Sequence, residues 1–178
     1  LMVIVKALLA GLLVILLGLT AAAILLVGTV AGLLANSGVT GVGLSEEARQ
    51  DIPQPFIDAY LAAGSLCPGL SAPVLAGIGK VESDHGRHGG STVGPDGIIR
   101  PPIIGIPLDG RPGVALIRDT DNGRLDGDLV YDRAVGPFQF IPSTWELYER
   151  SIGGPRNPHY VPDAVQAVVW HFCPNGTL

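Results

Sequence analysis

The feature that most constrains this chain is the run of residues 7–35, in which no side chain is charged and Leu, Val, Ala and Gly dominate. About 20 apolar residues span a bilayer as a helix, whereas the apolar core of a cleaved signal peptide has about 7–15 residues. We therefore predict one transmembrane anchor over residues 1–36, with a signal sequence as the alternative. Lys6 precedes the run, and the first acidic residues, Glu46 and Glu47, follow it. The positive-inside tendency then places the N-terminus in the cytoplasm and the rest outside.

The remainder of the chain divides into a short linker and one domain. Residues 37–52 carry Gly and Ser and predict a flexible linker, while residues 53–178 are long enough to bury one hydrophobic core. The formal net charge of −5 provides no basic patch, so a nucleic-acid partner is not expected. The predicted location is the cell membrane, crossed once, with the domain extracytoplasmic, or secreted if the N-terminal segment is removed.

The chain has two cysteines, Cys67 and Cys173, which lie far apart in sequence. An extracytoplasmic compartment permits a disulfide, and two buried free thiols are the alternative. The predicted topology and the even number of cysteines both favour the disulfide.

Apolar periodicity and turn residues predict a mainly α, α+β domain. Its helices are expected near residues 56–63, 71–82, 144–150 and 162–172. Ser71 is the expected cap of the second helix, and residues 143–146 match a capping box for the third. The long segment 86–132 lacks helical periodicity and predicts a few short strands.

The helix over residues 71–82 ends in a carboxylate, Glu82. Val74, Ile78 and Val81 share one face, and the helix is apolar almost all round, which predicts burial. A carboxylate at the last turn opposes the helix dipole. In apolar surroundings its pKa would rise, as a general acid near neutral pH requires.

A structural role for Glu82 is the alternative, and the residues alone weigh the two equally. In that interpretation the carboxylate caps the helix or forms a salt bridge with Lys80, Arg87 or Arg133.

Metal sites are weaker candidates. Four carboxylates fall within ten residues and could form a calcium loop, but their spacing does not match an EF-hand. They are Asp119, Asp121, Asp126 and Asp128. Solvated turns are favoured, and His85 and His88 are expected to be solvated loop histidines rather than ligands. No metal or cofactor is predicted.

Two segments together resemble a known family. Val81-Glu82-Ser83-Asp84-His85-Gly86, followed by the sequence AVGPFQFIPSTW at residues 134–145, is similar to bacterial lytic murein transglycosylases of the membrane-bound B type. The resemblance extends over most of residues 53–173. It implies a lysozyme-like fold with a deep glycan cleft, a peptidoglycan substrate and no cofactor.

The resemblance also implies a reaction and site residues. Such enzymes cleave the β-1,4 bond between N-acetylmuramic acid and N-acetylglucosamine without water, leaving a 1,6-anhydro ring. Glu82 takes the place of the single acid/base. The expected substrate-binding residues are Ser83, Gly136, Phe138, Gln139 and Tyr160. Phe138 stands where the family commonly has Met, and Tyr160 is the candidate for a tyrosine that supports the glutamate.

Two alternative functions remain open. The last helix ends in His171-Phe172-Cys173 instead of Tyr-Leu-Cys, and the connection from Trp145 to that helix is short. Both departures suit a non-catalytic peptidoglycan-binding module with a decayed site. A hydrolytic muramidase would instead use an Asp of residues 119–132 as its second carboxylate.

Overall fold

The computed structural model describes residues 43–174, which contain five α-helices and two small antiparallel sheets. The helices are α1 (Glu46–Asp51), α2 (Gln54–Ala63), α3 (Ala72–Ser83), α4 (Pro142–Ile152) and α5 (Val161–Phe172). A short 3₁₀ turn covers His88–Gly90. This mixture of helix and sheet confirms the predicted α+β class.

Within residues 43–174, no helix is long and apolar enough to cross a membrane. The predicted anchor over residues 1–36 lies outside the described residues, as do residues 37–42 of the predicted linker.

The described part of that linker is folded, which differs from the prediction of a flexible spacer. Ser45 caps α1 by accepting a hydrogen bond from the Ala48 amide. Leu44 and Ile52, on either side of the helix, are 8% and 6% exposed and belong to the main core. The prediction of a flexible linker rested on the Gly and Ser content, which does not show that Leu44 and Ile52 pack into the core and order the segment.

The main core lies between α2, α3 and α5. Phe56 and Tyr60 of α2, Leu75 of α3, and Val161 and Val165 of α5 are fully buried within it. A second cluster joins α4 to α5 through Trp145, Tyr148 and Ala167. Amphipathic packing of this kind supplies most of a helix's stability in a folded protein.

The buried face of α3 differs from the predicted one. Its buried residues are Ala72, Leu75, Ala76, Gly79 and Ser83, whereas Val81 is 85% exposed. Apart from Leu75, the residues of this face are small, because α3 lies close to α2. A Cβ on Gly79 would overlap the Tyr60 hydroxyl, so close approach, rather than bulk hydrophobicity, selects the face.

One predicted cap is confirmed in position and the other is wrong. Ser71 is the N-cap residue of α3, although its side chain makes no capping hydrogen bond. The expected capping box at residues 143–146 does not form, because α4 begins at Pro142 with Ile141 as its N-cap. Proline at a first helical position has the φ a helix needs, which moves the start of α4 ahead of Ser143.

The segment 86–132 and the residues after it form short strands, as predicted. β1 (Thr92–Val93) pairs with β2 (Ile99–Arg100), and β3 (Ile104–Pro107) pairs with β4 (Arg133–Val135), with a register shift in the second pair. The β3–β4 pair leads directly into the loop at residues 136–139.

The predicted disulfide is confirmed. Cys67 and Cys173 are joined across 106 positions of sequence, linking the loop after α2 to the end of α5. In the chain-entropy model, a closed loop of this length stabilises a domain by up to ~4.7 kcal/mol.

Candidate active site

Glu82 occupies the last turn of α3, and its side chain is exposed. The protein around it removes enough water to raise the pKa of the carboxyl group above its ordinary value. Among residues 43–174, no hydrogen bond or salt bridge is formed by this carboxylate. An accessible carboxyl group with a raised pKa keeps its proton to a higher pH than an ordinary glutamate does, which suits a proton donor.

The cations that could neutralise Glu82 are paired with other acids. Lys80 and Arg87 both contact Asp51 and Asp84. The remaining candidate, Arg133, donates from Nε to Asp128 Oδ2 at 2.9 Å. The structure therefore does not support the interpretation of Glu82 as a partner of Lys80, Arg87 or Arg133.

A tight left-handed turn follows Glu82. Asp84 and His85 have φ values of 50° and 55°, and Gly86 follows at 78°. Left-handed conformations of non-glycine residues cost on the order of 1–3 kcal/mol each and persist only when neighbouring contacts fix them. Ser83 provides one such contact, because its buried Oγ accepts a hydrogen bond from the Gly86 amide at 3.0 Å. Ser83 closes this turn, and its role as a substrate ligand stays a prediction.

A buried tyrosine supports the turn from inside the core. The Tyr60 hydroxyl and His85 Nδ1 are 3.1 Å apart, and both side chains are almost fully buried. Burial raises the pKa of Tyr60 and lowers that of His85, so both groups are neutral at physiological pH. The prediction that His85 is a solvated loop histidine is wrong, because its ring is buried against Tyr60. The two residues lie 25 positions apart, so no local pattern predicts the pair.

The loop after β4 is closed by backbone hydrogen bonds. Val135 and Phe140 exchange two backbone hydrogen bonds, at 2.8 and 3.0 Å, across residues 136–139. Gly136 has φ 75°, and a Cβ there would overlap the Pro158 carbonyl oxygen, so only glycine fits. Gln139 Nε2 donates to the Gly136 carbonyl at 2.9 Å. The Gln139 amide is thus held against its own loop.

The ring of Phe56 contacts both of the segments identified from the sequence, residues 81–86 and residues 134–145. The Phe56 ring centroid lies 6.0 Å from that of His85 and 6.2 Å from that of Phe138, both in edge-on geometry. Phe138 is 8% exposed, which gives it a packing role. Among the described residues, no hydrogen bond joins Glu82 to Gln139, so Phe56 is the contact that relates the two segments.

Tyr160 lies at the start of α5, away from any described contact with Glu82. It forms a β-bridge with Ile98, and its ring packs over Gly97. His171, the departure noted at the end of α5, contacts the Phe140 ring at 6.1 Å. Support of Glu82 by Tyr160 therefore stays a prediction.

The carboxylates of residues 119–132 are bound mainly by their own backbone. Asp119 accepts from the Asp121 and Gly123 amides, and Asp121 accepts from the Arg124 and Leu125 amides. These bonds are typical of the Asp-rich turns favoured over a calcium loop.

The acidic grouping in the structure differs from the predicted set of four. Asp126 accepts from the Arg133 amide and Asp128 pairs with the Arg133 side chain. Carboxylate oxygens of Asp119, Asp121 and Asp132 instead lie within 4.8 Å of one another. Asp132 is fully buried and accepts from the Thr120 amide and hydroxyl at 2.9 and 2.7 Å.

Among residues 43–174, two of the surface depressions are shallow and open, and Glu82 lines neither of them. One is bounded by Arg124, Glu149 and the 153–155 turn, and the other by Ile104, Leu129 and Arg133. The deep glycan cleft that the resemblance implies therefore stays a prediction.

Comparison with known proteins identifies no relative of this chain. No protein-family model matches the chain, and neither a curated protein nor a solved structure gives a significant match.

Proposed function

We propose that this chain is a peptidoglycan lyase with a lysozyme-like fold, in which Glu82 is the single acid/base. The observation that carries the proposal is the state of Glu82: it is exposed, it has no ion-pair partner among residues 43–174, and its pKa is raised. A group of this kind holds its proton to a higher pH than an ordinary glutamate does and can reach a bound substrate.

The proposed reaction has two proton transfers and no water. Protonated Glu82 donates its proton to the β-1,4 oxygen between N-acetylmuramic acid and N-acetylglucosamine as that glycosidic bond breaks. The resulting carboxylate then accepts the proton of the muramic 6-hydroxyl, whose oxygen bonds to C1 and closes the 1,6-anhydro ring. Glu82 ends the cycle protonated, so one carboxylate is sufficient.

The surroundings of Asp84 and Asp132 favour this reaction over hydrolysis, which ordinarily needs a second acid. Hydrogen bonds from Arg87 and Lys80 hold the pKa of Asp84 at about 2. Asp132 is fully buried and bound to Thr120. A nucleophile or general base must reach the substrate, and a buried Asp132 cannot.

The rest of the proposal concerns substrate and location. We assign the Gly136–Gln139 loop as a wall of the glycan site, with Phe138 anchoring it on Phe56. The substrate is the glycan strand of peptidoglycan, and the N-terminal segment attaches the chain to the membrane. The disulfide supports an extracytoplasmic location, because such bonds persist in oxidising compartments.

Product analysis tests the proposal. The full chain, purified in detergent, would be incubated with murein, and the soluble products would be identified by mass spectrometry. Anhydromuropeptides are expected from the wild type and from Glu47→Gln, an exposed acid of α1 that serves as the matched control. Glu82→Gln is expected to form them about 10³-fold more slowly.

Each other outcome rejects the lyase reaction in a defined way. Products with reducing ends would indicate hydrolysis. Sedimentation with murein in the absence of any product would indicate a binding module.

A further inference from the structure

Four charged side chains connect the end of α1 to the turn that follows Glu82. Lys80 Nζ donates to Asp51 Oδ2 at 2.9 Å and to Asp84 Oδ1 at 2.5 Å. Arg87 Nη2 donates to Asp51 Oδ1 at 3.0 Å and to Asp84 Oδ1 at 2.8 Å. Arg87 Nη1 also reaches the Asp51 backbone carbonyl at 2.6 Å. Asp51, which lies about 30 positions before the turn, is therefore bound to both cations.

This network acts on the backbone of the turn. Arg87 Nε donates to the Asp84 carbonyl at 2.9 Å and to its carboxylate at 3.0 Å. The Asp84 and His85 amides donate to the Lys80 and Gly79 carbonyls, and these bonds end α3. The position of Asp84 thus fixes the last turn of the helix, where Glu82 lies.

The turn is held from two sides. On the inner side, Tyr60 contacts His85, and Gly86 packs where a Cβ would press on Phe56 and Ile99. On the outer side, the Asp84 carboxylate is bound by Lys80 and Arg87 of the four-charge network. Two consecutive left-handed non-glycine residues need restraint of this kind.

The network is too exposed to stabilise the whole domain strongly. The side chains of Lys80, Asp51 and Asp84 are 53%, 47% and 47% exposed, and that of Arg87 is 31% exposed. Exposed ion pairs contribute about 0–1 kcal/mol to stability. Arg87, however, has a planar guanidinium with several donors in fixed directions, which gives geometric specificity that a lysine lacks. The effect of the network is therefore local orientation.

We propose that Asp51 and Arg87 are positioning residues for Glu82, because they fix the left-handed turn that ends α3 and so set the direction of its carboxylate. This inference rests on the proposed function of Glu82. It also means that α1, through Asp51, helps to position Glu82 and is not only a linker.

Steady-state kinetics on soluble glycan chains test the inference in the full chain. In Asp51→Asn and in Arg87→Lys, kcat is expected to fall about 10-fold with KM unchanged within about 2-fold. This loss is smaller than the ~10²-fold cost of a 1 Å misplacement, because Tyr60 still holds the turn from the inner side. Asp51→Glu keeps the carboxylate and should recover most of kcat. Glu47→Gln, on the same helix but outside the network, should match the wild type. Unchanged kcat in the two network variants, or losses that follow a lowered melting temperature, would overturn the inference.

Hydrogen exchange gives a readout that does not depend on activity. In Asp51→Asn and Arg87→Lys, the amides of Asp84, His85 and Arg87 should exchange about 10-fold faster, while the amides of α5 stay unchanged. If the wild type forms no anhydro product, the proposed function fails, yet exchange still decides whether Asp51 and Arg87 hold the turn. Unchanged exchange at the turn would reject the positioning role in either case.

Discussion

Glu82 and Asp121 share one property: removal of water by the surrounding protein is the main cause that raises the pKa of each. Their surroundings otherwise differ. Glu82 is exposed at a helix end without a partner among the described residues, whereas Asp121 is 7% exposed and accepts hydrogen bonds from two backbone amides. A raised pKa alone therefore does not identify a proton donor. Access to substrate and freedom from structural hydrogen bonds make the difference.

The largest expected effect distinguishes these two carboxylates by activity. Glu82→Gln should lower the rate of anhydromuropeptide formation about 10³-fold, since proton transfer contributes about 10²–10⁴-fold to rate. Asp121→Asn should stay within about 3-fold of the wild type, because its role is to bind backbone amides. Initial rates measured by chromatography of the products provide the check. A comparable loss in both variants would remove the distinction.

The free energy of unfolding should depend more on the buried carboxylate of Asp132 than on the exposed carboxylate of Glu82. Asp132→Ala is expected to lower the free energy of unfolding by about 3 kcal/mol, because it removes a buried acceptor and leaves the Thr120 amide without a partner. Thr120→Val removes only the hydroxyl bond and should cost about 1 kcal/mol. Glu82→Gln should stay within about 0.5 kcal/mol of the wild type. Denaturant titration followed by circular dichroism measures the free energy of unfolding of all three variants. An equal cost for Glu82→Gln and Asp132→Ala would contradict the structural role given to Asp132.

Two glycines with nearly equal φ allow the stability cost of crowding to be measured apart from the cost of backbone strain. Gly136 has φ 75° and packs on Pro158, while Gly153 has φ 77° and open space where a Cβ would lie. Gly153→Ala should cost about 1 kcal/mol, from left-handed strain alone. Gly136→Ala should cost about 1–3 kcal/mol more, because the loop must move. Denaturant titration of the two variants measures the difference, and equal costs would show that the contact with Pro158 adds nothing.

The same pair tests the role of the loop. If the Gly136–Gln139 loop is a wall of the site, Gly136→Ala should also raise KM for glycan chains, and Gly153→Ala should not. Equal kinetic effects of the two substitutions would argue against that role.

The smallest effect concerns pH. The raised pKa of Glu82 means that the folded state holds this proton more tightly than the unfolded state. The stabilisation is therefore fully present below the unfolded pKa and is lost as pH rises through the folded pKa. Glu82→Gln should equal the wild type in stability at acid pH and be slightly more stable at neutral pH. Melting temperatures across this range provide the check, and a wild type that gains stability relative to the variant as pH rises would reverse the sign.

Activity should decline through the same ionisation. The acid form of Glu82 starts the reaction, so kcat/KM should fall as pH rises through its raised pKa. In Glu82→Gln, any residual rate should not fall over that pH range.

The helices α2 to α5 were predictable because each has an apolar pattern and a Pro or Gly at its ends. The α2 and α5 ranges are within two residues of the prediction. The buried face of α3 was not predictable, because small residues are selected by the closeness of a neighbour that sequence does not place. Ordering of α1 depends on Leu44 and Ile52 reaching a distant core, which a local Gly and Ser count cannot reveal.

The candidate site was predictable only in part. Glu82 and the Gly136–Gln139 loop were identified from their residues and the resemblance, but the contacts that fix them were not. Asp51 and Arg87 are 36 positions apart, and Tyr60 and His85 are 25 apart. No local pattern links such pairs, so a three-dimensional structure was needed to find them.

The disulfide between Cys67 and Cys173 has a consequence for cleavage of the chain. The two residues enclose Glu82, the Gly136–Gln139 loop and Tyr160 within one covalent ring. A protease that cut the long segment between Glu82 and Gly136 would open this ring without releasing either half. Such a nicked molecule would keep both halves of the site together and migrate as a single species until a reductant separated them.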